Sequence, residues 1–384
     1  MDFTLNEEQQ LLKNSVERFV EQDYGFEKRR DIINSPDGFD RGIWTQMADL
    51  GWLGLPFSEE DGGFDGTPVE TMILMEALGR GLMVEPYLAT VVLGGGLIAA
   101  CGTADQKSAI LPNIVAGEML LAFAYAEPQS RFDPADVITS ATKDGSGYLL
   151  NGHKAVVFNG GSADKIIIST RTSGDQLDQG GISLFIVDAS AAGLKIKSYP
   201  TIDGFRAAEI ELSDVVANDV LGEIGEAYPA IEAVLDAGIA AIAAEAVGAM
   251  QMLHDDTLDY LKTRQQFGQA IGSFQVLQHR MVDIYIELEQ ARSAAVMATL
   301  RLTANDPEAR RHALSAAKVQ IGQASRFVGQ QAVQLHGGIG MTDELRISHY
   351  FKRLTMIATQ FGSVDYHLDR MANATPQLNQ EEKQ

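Results

Sequence analysis

Four places in this 384-residue chain hold residues whose types and spacing could do chemistry. Cys101 is the lone thiol, a candidate nucleophile, but it stands between Ala100 and Gly102 with no histidine nearby. A thiol turns reactive where a base or cation lowers its pKa, so Cys101 reads as a buried structural residue. His254-Asp255-Asp256 is a candidate metal set. Consecutive residues of a helix point in different directions while ligands must converge, so it reads as a solvated face. Gly94-Gly95-Gly96 has the glycine content of a phosphate loop, but no strand precedes it. Close helix packing accounts for it better. The fourth place is a long stretch from Asp256 past Gln334. It reads Leu261-Lys-Thr-Arg264-Gln-Gln-Phe267-Gly268, then Phe274-Gln275-Val-Leu-Gln278-His279, then Gln334-Leu-His-Gly337-Gly338-Ile-Gly340.

The elements that must position that stretch are helices. Leu258, Tyr260 and Leu261 share one side of a helical pattern, with Asp259 and Lys262 on the other. Gly268 and Gly272 break it, and Ser273 is the expected N-cap of the next helix. Val276, Leu277, Met281, Ile284, Ile286 and Leu288 carry that helix toward Thr303. Asp306-Pro307-Glu308 opens another, with Asp as N-cap and Pro at the first helical position. The Gly337-Gly338 pair is expected to end it with a left-handed cap. Long antiparallel helices on short connections make a four-helix bundle, about 226–375, with a polar tail at 376–384.

Upstream, Thr4-Leu-Asn-Glu7 has the form of a capping box opening a helix through Val20. Trp44, Met47 and Leu50 belong to a second helix that stops at Gly51. A glycine-rich loop covers Leu53 to Gly66, and helices are expected over Val69–Leu78, Tyr87–Ala100 and Ala104–Ala116. Residues 1–120 thus form a helical domain. From Leu121 the period changes to short, β-branched, alternating runs, at Val137, Tyr148, Lys165, Ile182, Leu194 and Ala208. These predict a small β-barrel or sandwich over 121–225. The fold class is α+β.

Composition excludes some functions. A net charge of −22 repels nucleic acid and anionic membranes. One cysteine excludes a disulfide framework and suits a reducing compartment. The N-terminus is acidic, and the apolar stretches read as too short or interrupted to span a bilayer. The expectation is a cytoplasmic protein.

Taken in order, Arg264-x-x-Phe267-Gly268, Phe274-Gln275-x-Leu-Gln278 and Gln334-x-x-Gly337-Gly338-x-Gly340 resemble the C-terminal bundle of the acyl-CoA dehydrogenase family. The resemblance extends over roughly residues 1–375 and implies helical, β and helical domains in that order. It implies FAD as cofactor and an acyl-CoA thioester as substrate, which at this net charge needs a local basic patch. In that chemistry a carboxylate removes the α-proton while the flavin accepts the β-hydrogen as hydride. Each FAD of a typical member is shared between two subunits. The resemblance places Arg264 against the pyrophosphate, and Gln334 with Gly337 and Gly338 at the ADP part. Phe267, Gln275 and Gln278 would line the same groove.

The flavin-ring half departs from the family. Thr-Glu-Pro-x-x-Gly-Ser-Asp is here Ala126-Glu127-Pro128-Gln129-Ser130-Arg131-Phe132-Asp133. Lys-x-Trp-Ile-Thr-Asn is Lys154-Ala155-Val156-Val157-Phe158-Asn159. The family's catalytic glutamate falls on Phe361, and its alternative position on Gly238. The nearest carboxylates to Gly238 are Asp236 and Glu245. Asp236 lies about 200° round the helix from Gly238. One half of a shared site is present while the other half and the base are missing. That division implies the non-catalytic small subunit of a heteromeric enzyme, like those of pimeloyl-CoA or steroid side-chain oxidation. The partner would be a homologous catalytic subunit in an α2β2 assembly, with electron-transferring flavoprotein as acceptor. Two alternatives stand beside it: a self-sufficient homotetramer using Asp236 as base, and a flavin-free structural or acyl-CoA-binding homologue.

Overall fold

The computed structural model describes residues 5–304 and 306–374. Thr4 of the expected capping box and the 376–384 tail lie outside them. The chain divides into two compact units, one ending at Ala241 and the other beginning at Ile242.

The first unit opens with helices α1 (Glu7–Asp23), α2 (Phe26–Ile33), α3 (Arg41–Asp49) and α4 (Pro68–Gly81). A π-helical stretch, Leu88–Gly95, then runs into α5 (Gly96–Cys101), and α6 (Ala104–Val115) follows. The α1 capping box is Asn6 with Gln9, so the helix starts two residues after the expected site. Asn6 Oδ1 accepts the Gln9 N–H at 2.8 Å, and Gln9 Oε1 accepts the Asn6 N–H at 3.1 Å. Thr67 with Glu70 and Thr103 with Gln106 repeat the device on α4 and α6. The triple glycine is a packing feature. A Cβ on Gly94 would lie 2.6 Å from the Leu121 Cβ, and one on Gly95 2.5 Å from the Phe57 ring.

Eight strands form one sheet in the order β6-β7-β3-β2-β4-β5-β8. They are β1 (Leu121–Ala124), β2 (Ser140–Asp144), β3 (Gly147–Phe158), β4 (Lys165–Arg171), β5 (Ile182–Asp188), β6 (Leu194–Pro200), β7 (Arg206–Ala217) and β8 (Asp219–Leu221). The edge of β4 also carries β1 in parallel register, Leu121 opposite Lys165. Ala122, Leu150, Ile166, Ile168, Phe185, Ile210 and Val215 pack together on its buried side. The strand expected at Val137 begins at Ser140 instead, because the Glu127 carboxylate takes the N–H groups of Ile138 and Thr139.

Helix α7 (Tyr228–Thr263) follows, and its first part belongs to the first unit. It contains an 18-residue window of mean hydropathy 1.6, which corrects the reading that no apolar stretch is long enough for a membrane. Because 89% of that window is buried in protein, it is a core helix.

The second unit holds the rest of α7, the two-stranded hairpin β9 (Gln265–Gln266) and β10 (Gln269–Ala270), then α8 (Gln275–Arg301) and α9 (Pro307–His336). Helices α10 (Arg346–Thr359) and α11 (Val364–Ala374) complete it. Asp306 caps α9 as its sequence requires, accepting from the N–H groups of Glu308 and Ala309. The α8 N-cap is Phe274 and not Ser273. Ser273 Oγ donates to the Ala270 carbonyl at 2.7 Å and so closes the hairpin connection. Two arginine–carboxylate forks join α10 to α7, Arg346 with Asp256 and Arg353 with Glu245.

Candidate functional site

The hairpin is built where α7 runs out. Arg264 N–H closes the last helical turn on the Tyr260 carbonyl at 2.8 Å, and Ile271 N–H returns to the Arg264 carbonyl at 2.8 Å. Between them Phe267 and Gly268 have φ of 56° and 83°. Two successive positive φ values are the signature of a type I′ turn. Glycine suits that geometry, whereas for Phe267 it costs about 1–2 kcal/mol. The strain gains no core burial, since Phe267 is 90% exposed, its ring edge-on to that of Phe274 with 6.1 Å between centroids. Arg264 is exposed beside it.

The second glycine cluster ends α9. Gly337 has φ 67° and ψ −145°, an extended conformation open to glycine and not the left-handed helical cap expected. Gly340 is fixed by packing, because a Cβ there would lie 2.9 Å from the His336 side chain and from the Val333 carbonyl. Gly338 is different. Its φ is not positive, and a Cβ would meet nothing within 4 Å. Nothing among the described residues requires glycine at 338. Gln334 is exposed next to this open surface.

The hairpin and the glycine turn meet through Tyr260 and His336, whose rings stack at 4.4 Å and 24°. Gln275 is exposed on the first turn of α8. The Gln278 side-chain amide is already engaged, donating to the Gly272 carbonyl at 2.9 Å. Gln278 therefore holds the hairpin base, with its second amide N–H and its carbonyl oxygen left to offer a ligand. All seven residues singled out here, Arg264, Phe267, Gln275, Gln278, Gln334, Gly337 and Gly338, are exposed.

In the β domain the scaffold around 126–133 and 154–159 is intact. Lys154 and Glu127 are a fully buried pair, 2.7 Å apart, and Lys154 also donates to Ser169 Oγ at 3.0 Å. Burial pulls the Lys154 ammonium down to about 8 against the pull of Glu127. The Glu127 carboxyl sits below its usual value, because Lys154 and the Gln129 and Ile138 donors outweigh burial. Beyond Lys154 the β3–β7 register slips before Val157, and Val156 is thrown out at φ 53°, 44% exposed. A β-branched residue in that region is a genuine outlier. Arg131, at φ 50°, is another irregular point of the same half.

The residues at the base positions are apolar or engaged. Phe361 has φ 59° and is buried, and Gly238 is buried on α7. Asp236 is 1% exposed with a partner of its own. Glu245 accepts Arg353 Nε at 2.5 Å and Nη2 at 2.7 Å. A carboxylate in such a fork is turned toward its cation and has little left to offer a substrate.

Sequence reasoning missed what holds the loop around Phe361. Lys318, wholly buried, donates to the carbonyls of Ile357, Ala358 and Gly362 at 2.9–3.1 Å. His367 Nε2–H donates to the Phe361 carbonyl at 3.0 Å, and its Nδ1 accepts from Ser315 Oγ–H at 3.2 Å. Burial draws Lys318 down to about 7. Burial first, and Lys318 second, draw His367 down to about 3, so the imidazole is neutral. The signal was a lysine inside the apolar stripe of α9, between Leu314, Ala317 and Ile321.

Three family models tile the chain: the acyl-CoA dehydrogenase N-terminal domain over residues 6–118, the middle domain over 122–220 and the C-terminal domain over 228–375. The chain belongs to the acyl-CoA dehydrogenase family. It is 31% identical over 359 residues to the probable acyl-CoA dehydrogenase YngJ of Bacillus subtilis, covering 92% of this chain and 93% of that one. A variant of the Tcur3481-Tcur3483 steroid ACAD superposes with a TM-score of 0.87 at 30% identity, over 97% of this chain and 98% of the other. The ChsE4-ChsE5 complex from Mycobacterium tuberculosis superposes with a TM-score of 0.86 at 25% identity, over 97% and 98%.

Acyl-CoA dehydrogenases are FAD-dependent oxidoreductases acting on CH–CH bonds, and the two halves of this chain fit that cofactor unequally. The hairpin and glycine turn fit its ADP end. They offer an arginine, exposed amides and, at Gly338, an open backbone that an added side chain would fill. The ring half keeps the Glu127–Lys154 support but presents Arg131, Phe132 and Phe158 in place of small and hydroxyl-bearing residues, and Val156 in place of a tryptophan. No cluster that could hold a metal occurs among the described residues.

Proposed function

We propose that this chain is the non-catalytic subunit of a heteromeric acyl-CoA dehydrogenase. It supplies the ADP-binding half of an FAD site whose ring pocket and catalytic glutamate lie on a homologous partner, in an α2β2 assembly. Gly338 carries the reading: a glycine required neither by its φ nor by any neighbour is explained by a ligand or partner backbone lying against it. The exposed, strained Phe267 supports it, as do the two similar structures whose names pair unlike chains. In this reading Arg264 neutralises the pyrophosphate and Gln334 with the Gly337–Gly338 backbone receives the ADP. The substrate is an acyl-CoA thioester bound chiefly by the partner, and electron-transferring flavoprotein is the acceptor. Asp236, buried and engaged, does not favour a self-sufficient enzyme.

The test is flavin content and native mass, first of the chain alone and then with a co-expressed homologous partner. The expected result is no flavin alone and one FAD per pair of unlike chains in a mixed tetramer. Gly338→Leu should leave the melting temperature of the chain unchanged and empty the complex of flavin. One FAD per chain in the protein alone overturns the proposal.

A further inference from the structure

The two exposed clusters, the Arg264–Phe267 hairpin and the Gly337–Gly338 turn, lie on different helices, so something must fix the distance between them. Few contacts do so. Arg264 is tied to Tyr260 by the last hydrogen bond of α7, and Gly337 is covalently next to His336. Tyr260 and His336 stack face to face, and the Tyr260 hydroxyl donates to the His336 carbonyl at 3.4 Å. His336 is locked from the other side as well. Its Nδ1–H donates to the Ala332 carbonyl at 2.8 Å, and any Cβ at position 340 would strike its own Cβ.

We propose that the Tyr260–His336 stack is a positioning element that sets the spacing between the hairpin and the glycine turn for one ligand spanning both. The inference rests on the proposed ADP site but adds residues that need not touch the cofactor. A flat pair in a nearly parallel stack resists changes of spacing along its normal while tolerating slip, so it acts as a spacer. The Tyr260 hydroxyl bond is long and contributes little, which makes ring planarity the property that matters.

The experiment uses the assembled complex and reads FAD affinity by flavin fluorescence, alongside the melting temperature. Tyr260→Ala and His336→Ala should each weaken FAD about tenfold, the scale of a lost aromatic pair. Tyr260→Phe should keep wild-type affinity, which a purely structural loss would not predict. In the full chain without flavin, His336→Ala should speed hydrogen exchange at amides 264–271 and leave α8 unchanged. If Arg264→Ala lowers affinity but the two Ala variants bind FAD as wild type does, the spacer is wrong and the shared site stands. If Arg264→Ala is itself silent, the site reading and the spacer fall together. Should an Ala variant fail to fold, Tyr260→Leu, which keeps bulk without a plane, replaces it with the same expected loss.

Discussion

Glu85 offers the sharpest quantitative test of the structure. It is 4% exposed between α4 and the π-helical stretch. Tyr24 and Asp40 are the titratable groups that bear on it, and Arg29 acts on Tyr24 in turn. Glu85 Oε1 accepts the Asp40 N–H at a long 3.5 Å, the Tyr24 hydroxyl also bears on the carboxylate, and Oε2 is buried without a hydrogen-bond partner among the described residues. Burial pushes the carboxyl up from 4.5 to about 7, against the pull of the surrounding donors. The folded state therefore keeps a proton that the unfolded chain has released between those two values. Stability falls as pH rises wherever the folded state binds more protons. At about 1.4 kcal/mol per pH unit, the loss from pH 4.5 to 7 is about 3 kcal/mol. Glu85→Gln removes the titration while keeping the shape. The variant should match wild type near pH 4.5 and exceed it by up to about 3 kcal/mol at pH 8. Both tryptophans, Trp44 and Trp52, are buried in this helical domain, so their fluorescence during urea unfolding follows it. A wild-type-minus-variant difference that stays constant from pH 5 to 8 would refute the argument.

Arg353→Leu strands the Glu245 carboxylate in the bundle and should cost about 3–5 kcal/mol in urea unfolding, with Glu245→Leu added recovering most of it. Lys318→Met leaves three carbonyls without their donor. It should lower the melting temperature, speed exchange at amides 359–367 and raise the His367 pKa from about 3, as followed by imidazole NMR. Gly94→Leu overfills a site whose Cβ would already lie 2.6 Å from Leu121. A cost of about 1–3 kcal/mol is expected on denaturant unfolding.

The order of helical, β and helical domains was legible in the sequence because hydrophobic period is local: it changes at Leu121 and again near Ala227. The Asp306-Pro307 start of α9 and the helix break at Gly268 were legible for the same reason, since caps and breaks are specified within a few residues. The seven candidate cofactor residues could be named from three motifs, as could the losses at Phe158 and Phe361. Where the reading failed, a side-chain partner outside the local pattern had intervened. Val137–Thr139 look like strand, but Glu127 captures two of their N–H groups. Ser273 looks like a cap, but its hydroxyl serves the hairpin. Glu245 looks like a spare carboxylate until Arg353, 108 residues on, forks against it. The sequence alone determined which residue types stand at each half of the site. Only the tertiary structure decided that Gly338 faces open space while Gly340 is packed, and that Tyr260 stacks on His336. Those facts depend on which atoms of remote segments approach, and no local pattern encodes that.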